Sequence, residues 1–204
     1  MMIRAVVVVA GLLGAPLACA QSIDVSESDI AFIATQMGVA VEGRLPKFSA
    51  QINFEPNKLD QATARIEIDL ASINAGSEEA SAEVKKKSWF NLAAFPTATF
   101  VSTAVKQLAT QRYVAQGQLT IKGITNNVTV PFTVRFNDGE TIYEGGFTLL
   151  RLAFKIGEGA WSDSDTVADE VRVRFRIVQT RTANLLLRQS RYLLTMFCGG
   201  FSEI

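Results

Sequence analysis

The chain has 204 residues, 48% of them hydrophobic, with 20 basic and 20 acidic residues and no histidine. This length and apolar fraction exclude a disordered chain and suggest one domain, or a domain with an appendage. Zero formal net charge offers no footing for nucleic acid, and the absence of histidine removes the commonest general base, the Ser-His-Asp and Cys-His systems and most zinc or copper sites.

The N-terminus carries one cation, Arg4, an uncharged run from Ala5 to Leu13, Pro16, and the small-residue motif Ala18-Cys19-Ala20. This pattern predicts a secretory signal over 1–20, cut after Ala20, and places the protein in the periplasm. The run is shorter than the roughly 20 apolar residues of a spanning helix. A lipoprotein alternative is disfavoured because Pro16 stands where a lipobox usually has leucine. Cleavage removes Arg4 alone, leaving 19 basic and 20 acidic residues and a net charge of −1. It also removes Cys19, so Cys198 has no intramolecular partner in a compartment that permits disulfides.

Alternation of apolar and polar residues then runs through the chain, as half-buried strands require. It is seen in Ile30, Phe32 and Ala34; in Phe48, Ala50, Ile52 and Phe54; and in Ala64, Ile66, Ile68 and Leu70. Ser77 to Lys87 follows as a predicted helix, with acids in its first turn and lysines in its last, and Trp89 and Phe90 are expected to turn inward after it. In the next strand Ala98, Phe100, Ser102 and Ala104 share one parity while Val101, Thr103 and Val105 make the other nearly as apolar, so its facing is ambiguous.

The segment from Tyr113 to Phe136 reads as two strands around a Gly-Ile-Thr-Asn turn, with Leu119, Ile121, Val128, Val130, Phe132, Val134 and Phe136 on the apolar face. Pro131 falls on the outward parity, where its missing N–H calls for a bulge or an opening of the sheet. Phe147 and Leu149 mark a seventh strand. Val171, Val173, Phe175 and Ile177, alternating with Arg172, Arg174 and Arg176, mark the eighth. Eight short antiparallel strands predict an all-β barrel or sandwich, with the helix between the third and fourth.

Three motifs invite chemistry. Lys85-Lys86-Lys87 could attract an anion, but a solvated helix end accounts for it. Glu158, Asp163, Asp165, Asp169 and Glu170 around Trp161 lack EF-hand spacing, and nothing fixes a glycosidase separation between them; a polar mouth loop is the reading preferred. The 13 phenylalanines, many on inward positions, fit a side-chain-filled core and a ligand-holding barrel equally well.

Four ordered segments resemble the YceI-like lipid and polyisoprenoid-binding family of exported bacterial proteins. They are QMGVAVEGRLPKFSAQINFEP from Gln36, SWFNLAAFPTATFVST from Ser88, QLTIKGITNNVTVPF from Gln118 and RLAFKIGEGAWSDSDTVADEVRVRF from Arg151. The resemblance covers about residues 22–180. It implies an eight-stranded lipocalin-like barrel whose apolar tunnel takes an isoprenoid or acyl lipid, such as a quinone tail or a polyprenyl phosphate. It implies binding rather than catalysis, with no cofactor beyond such a lipid. The alternative is a non-catalytic stress-protection or protein-interaction barrel with a filled core. Many relatives have histidine where this chain has Gln36, so no role of that histidine transfers.

Parity nominates Phe32, Phe54, Ile68, Trp89, Phe90, Phe100, Phe132, Phe136, Phe147 and Phe175 as tunnel residues. A transient membrane contact and a homodimer are both compatible with the chain. Residues 181–204, with the Leu185–Leu187 and Tyr192–Phe197 runs, lie beyond the usual family end. They read as a docked helix or a partly disordered tail in preference to an interfacial membrane helix.

Overall fold

The structure is a computed structural model that describes residues 21–137 and 139–181. The expected signal segment, Asp138 and the C-terminal extension from 182 lie outside the described residues.

Ten antiparallel strands form one rolled sheet: β1 (Gln21–Ile23), β2 (Asp29–Gln36), β3 (Val39–Arg44), β4 (Phe48–Asn53), β5 (Thr63–Asp69), β6 (Thr97–Ala109), β7 (Arg112–Ile121), β8 (Ile124–Asn137), β9 (Glu140–Leu150) and β10 (Glu170–Arg181). Their order is β3-β2-β10-β9-β8-β7-β6-β5-β4, with β1 added on β10. The two strands beyond the expected eight are β1 and β3. β1 has three residues, and β3 buries only Gly43, so neither carries a run of alternating apolar side chains.

The roll brings β10 back to β4, strands far apart in sheet order. There the buried Gln179 side chain donates from Nε2 to the Ile52 carbonyl at 2.8 Å. At the other end of the barrel Arg44 and Asn74 exchange backbone hydrogen bonds of 2.8 and 3.0 Å, tying β3 to the chain after β5.

The helix between β5 and β6 is α1 (Glu78–Glu83), capped by Ser77, whose hydroxyl accepts from the Ala80 N–H at 3.1 Å. It is shorter than the sequence suggests, and Lys85 to Lys87 fall beyond it. The carbonyls of Val84, Lys85 and Lys86 instead accept from Phe90, Leu92, Trp89 and Asn91, so the chain folds back and drives Trp89 inward.

The β7–β8 hairpin turns on Lys122 (φ 52°) and Gly123 (φ 74°), two residues earlier than the pattern suggests. Two successive positive φ values make the tight turn that matches strand twist, and Ile124 is already in the ladder opposite Ile121.

The ambiguous strand β6 is bulged. Ser102 pairs with Gly117 and Ala104 with Gln116, so Thr103 is an extra residue and the inward parity changes from Ala98 and Phe100 to Val105. The opening expected at Pro131 is also present. β8 pairs with β9 only from Phe132 to Asn137, and residues 124–131 have β7 alone as a ladder partner. The Arg151–Phe154 3-10 turn covers the gap, where the Asn126 amide donates to the Ala153 carbonyl at 3.1 Å.

Candidate functional site

Side chains from eight strands, β2 and β4 to β10, converge on an apolar cavity of about 140 Å³ inside the barrel. Its wall includes Ile30, Ile66, Leu119, Val130, Val173 and Ile177. Six of the ten nominated residues join them: Phe54, Ile68, Phe100, Phe132, Phe147 and Phe175.

Glycines keep the rings flat against the wall. A Cβ at Gly117 would stand 2.5 Å from the Phe100 ring and 2.6 Å from the Val101 carbonyl. One at Gly145 would stand 2.9 Å from the Phe175 ring and 2.4 Å from the Pro131 carbonyl. Each phenylalanine thus lies over a bare backbone on a neighbouring strand instead of crossing the lumen.

A second space, about 420 Å³, opens to solvent between the β4–β5 and β8–β9 connections. Its lining includes Glu55, Pro56, Phe136, Glu140, Gln179 and Thr180. Phe54 is the one residue shared with the inner cavity. That ring stands edge-on to Tyr113, Tyr143 and Phe132 at centroid distances of 5.0, 5.8 and 6.2 Å, and Tyr113 stacks on Phe132 at 5.6 Å. Phe54 therefore stands between cavity and mouth, packed in a cluster with three other aromatic rings.

One polar chain crosses this level. The Tyr143 hydroxyl donates to Gln179 Oε1 at 2.8 Å, and Gln179 donates on to Ile52. Burial pushes the Tyr143 phenol well above its ordinary pKa, so it remains a protonated donor. Tyr143 and Gln179 were legible in principle, since both lie on inward parity, Tyr143 in step with Phe147 and Gln179 in step with Ile177.

The remaining four nominees lie elsewhere. Phe32 packs across Gly43, whose Cβ would meet its ring at 2.1 Å, outside the cavity lining. Trp89 and Phe90 belong to the packed end of the barrel, with Leu70, Leu119, Ile121, Phe154 and Ile156. Phe136 shares parity with the fully buried Val134 yet is 55% exposed, because it sits at the strand end on the mouth.

At the packed end Arg151, 1% exposed, organises the loop from 151 to 169. Its five N–H groups have five backbone acceptors: Nε donates to Ala168, Nη1 to Ile156 and Gly157, and Nη2 to Trp161 and Val167, at 2.6 to 3.2 Å. The guanidinium lies 5.8 Å from the Trp89 ring centroid. Burial lowers its pKa, and Asp169 opposes the shift. The signal for it was a cation within the apolar run TLLRLAF.

Three of the acidic residues of this loop have definite partners. Glu158 accepts from Lys122 at 2.7 Å, which holds its carboxyl below the ordinary glutamate range. Asp163 accepts from the Thr166 hydroxyl at 2.8 Å and is lowered likewise. Asp169 accepts from the Leu152 N–H at 2.8 Å.

A profile of the YceI-like domain matches residues 21–179. The chain belongs to the YceI-like family. Among solved structures similar to this chain, Burkholderia cenocepacia BcnA is 39% identical with a TM-score of 0.75, over 77% of this chain and 99% of that one. A polyisoprenoid binding domain from Saccharophagus degradans, implicated in plant cell wall breakdown, shares the fold. Its TM-score is 0.63 at 15% identity, over 80% of this chain and 99% of that one. A UPF0312 protein of Shewanella denitrificans is 26% identical over an alignment of 131 positions, with 59% of this chain and 69% of that protein covered. The chain spans about half the length of further curated relatives, 56% of one from Vibrio vulnificus and 55% of one from Yersinia enterocolitica.

Proposed function

We propose that this YceI-like protein is a non-enzymatic periplasmic carrier for a long-chain isoprenoid or similar lipid, whose chain lies in the barrel cavity and whose head group lies at the mouth. The observation that carries this reading is the cavity wall itself, apolar throughout and lined by rings held flat over glycines. The polyisoprenoid-binding Saccharophagus domain of the same fold supports it, as does the Arg4 to Ala20 export pattern.

Energetically, each buried CH₂ contributes about 0.8 kcal/mol, so an isoprene unit contributes roughly 4 kcal/mol and a few units offset the entropy lost on association. The cavity of about 140 Å³ is below the roughly 300–1,000 Å³ of most ligand sites. A long chain therefore requires Phe54 to swing aside and join cavity to mouth. The same small volume favours the second reading, a barrel that stays closed on its own side chains and acts in protection or protein interaction.

Native mass spectrometry and organic extraction of protein purified from its own cells separate the two. A stoichiometric prenyl or acyl lipid is expected; protein that is always empty and takes up no added quinone would sink the carrier. Phe132 lines the cavity, whereas Thr133 is exposed. Phe132→Asp should accordingly lower quinone uptake at least tenfold in folded protein, and Thr133→Asp should leave it within about twofold.

A further inference from the structure

The last strand delivers the chain to the mouth. Thr180, the last residue but one of β10, lines it, and Arg181 ends the ladder opposite Gln21. Another 23 residues follow, from Thr182 to Ile204. Their leucine triplet, Leu185 to Leu187, is four to six residues past Arg181, which an extended chain spans in roughly 13–21 Å. β10 itself rises about 36 Å, so the packed end, beside its first residues, is out of the triplet's reach.

Within reach is an apolar seat. Phe136, 55% exposed, is the one strongly exposed large apolar side chain in the mouth lining, which also holds Phe54 and Pro56. A single exposed ring is ordinary on a flat surface. Set in a concave opening of about 420 Å³, it offers apolar side chains a place to leave water.

Charge agrees with the segment that emerges there. The mouth lining has two carboxylates, Glu55 and Glu140, and no cation. In the sequence Asp138 adds a third acid between two lining residues, Asn137 and Gly139. Glu55 meets Lys58 at 2.9 Å, but in an exposed pair of the kind that contributes little. Lys106 and Arg112, on the neighbouring β6–β7 hairpin, do not line the mouth. Residues 182–202 carry two cations, Arg188 and Arg191, and no acid.

From the exit point, the apolar seat and the opposite charges we infer that the segment after Arg181 lies across the mouth of its own barrel. Leu185 to Leu187 cover Phe136, and Arg188 and Arg191 face the acidic rim. The segment is then an outer cover above Phe54, and a ligand enters only when it lifts. This gating rests on the carrier reading; the contact itself does not.

Arg188 and Arg191 are themselves trypsin sites, so brief digestion of the full purified chain, followed by mass spectrometry, reads the contact. Cleavage there tracks the population in which the segment is lifted. Wild type should be cut after Arg188 roughly tenfold more slowly than Leu186→Ser or Phe136→Ser, and about threefold more slowly than the Glu55→Gln, Glu140→Gln double variant. The rate should not depend on protein concentration. Leu186 lies beyond the last strand, so its variant tests the contact even where Phe136→Ser fails to fold.

Equal cleavage of wild type and all three variants overturns the cover. Protection lost in Leu186→Ser but kept in the two mouth variants seats the segment elsewhere and overturns the mouth contact. Protection that grows with concentration assigns the mouth to the segment of a second copy and overturns the contact within one chain. Quinone uptake from detergent micelles should be several-fold faster in Leu186→Ser; an unchanged rate once protection is lost overturns the gating. Wild type that is protected yet takes up no quinone defeats the carrier reading alone.

Discussion

At the scale of single residues, the lumen depends on side chains that are missing. Gly117 lets Phe100 lie flat, and the nearby Val101 carbonyl leaves no room for even a methyl group. Gly117→Ala must push that ring toward the lumen or part β6 from β7, at about 1–3 kcal/mol, the usual range for overpacking. Urea unfolding should show the loss, and quinone capacity should fall with it. Phe100→Leu in the same chain should recover part of both, since the two positions are in contact. An undiminished capacity in Gly117→Ala would mean that Phe100 does not bound the ligand space. Parity read the facing of these rings from the sequence but not their height along the barrel. Phe136 and Phe132 share a face, yet one is on the rim and the other in the wall, and only strand register distinguishes them.

At the scale of elements, the segment between β9 and β10 is held by one cation. Arg151→Met would leave five carbonyls without their donor, an effect of about 3–5 kcal/mol. Arg151→Lys should rescue little, because an ammonium has three donors and no planar fork. Thermal unfolding checks the stability, and faster amide exchange confined to 151–169 would place the damage. Equal stability in Lys and wild type would show the five-bond arrangement to be dispensable. The acids of this loop were visible in the sequence, but their use was not. Glu158 is committed to Lys122, 36 positions earlier, and such pairings follow from how a hairpin turn meets a distant loop. Pro131 was the opposite case, since a residue without an N–H can occupy a ladder only where one side of it stops.

For the whole molecule, the barrel has a packed end built around Trp89 and Phe154 and an end where the Phe54 ring stands between the cavity and the open mouth. Traffic past that ring requires Phe54 to move. Phe54→Ala should therefore quicken quinone uptake, followed by quenching of tryptophan fluorescence, several-fold or more. It should destabilise by less than the roughly 3–5 kcal/mol of a fully buried phenylalanine, since the ring is half-buried. An unchanged rate would redirect attention to the parting of β8 from β9 as the way in. The barrel class was legible because seven strands alternate cleanly, and the family segments sharpened it. The two short strands were not, since β1 and β3 are held by backbone pairing with little apolar side-chain burial of their own. The bulge in β6 has a consequence for descent. With Thr103 removed, Ser102 would still point in, Ala104 out and Val105 in, so a lineage could lose that residue without turning any neighbour around. A single deletion inside β7 or β8 has no bulge to absorb it and would reverse the facing of everything on one side. Gaps between relatives should therefore gather at Thr103, or at Leu108, where the register against β7 shifts a second time, since these are the places where the strand has a residue to spare.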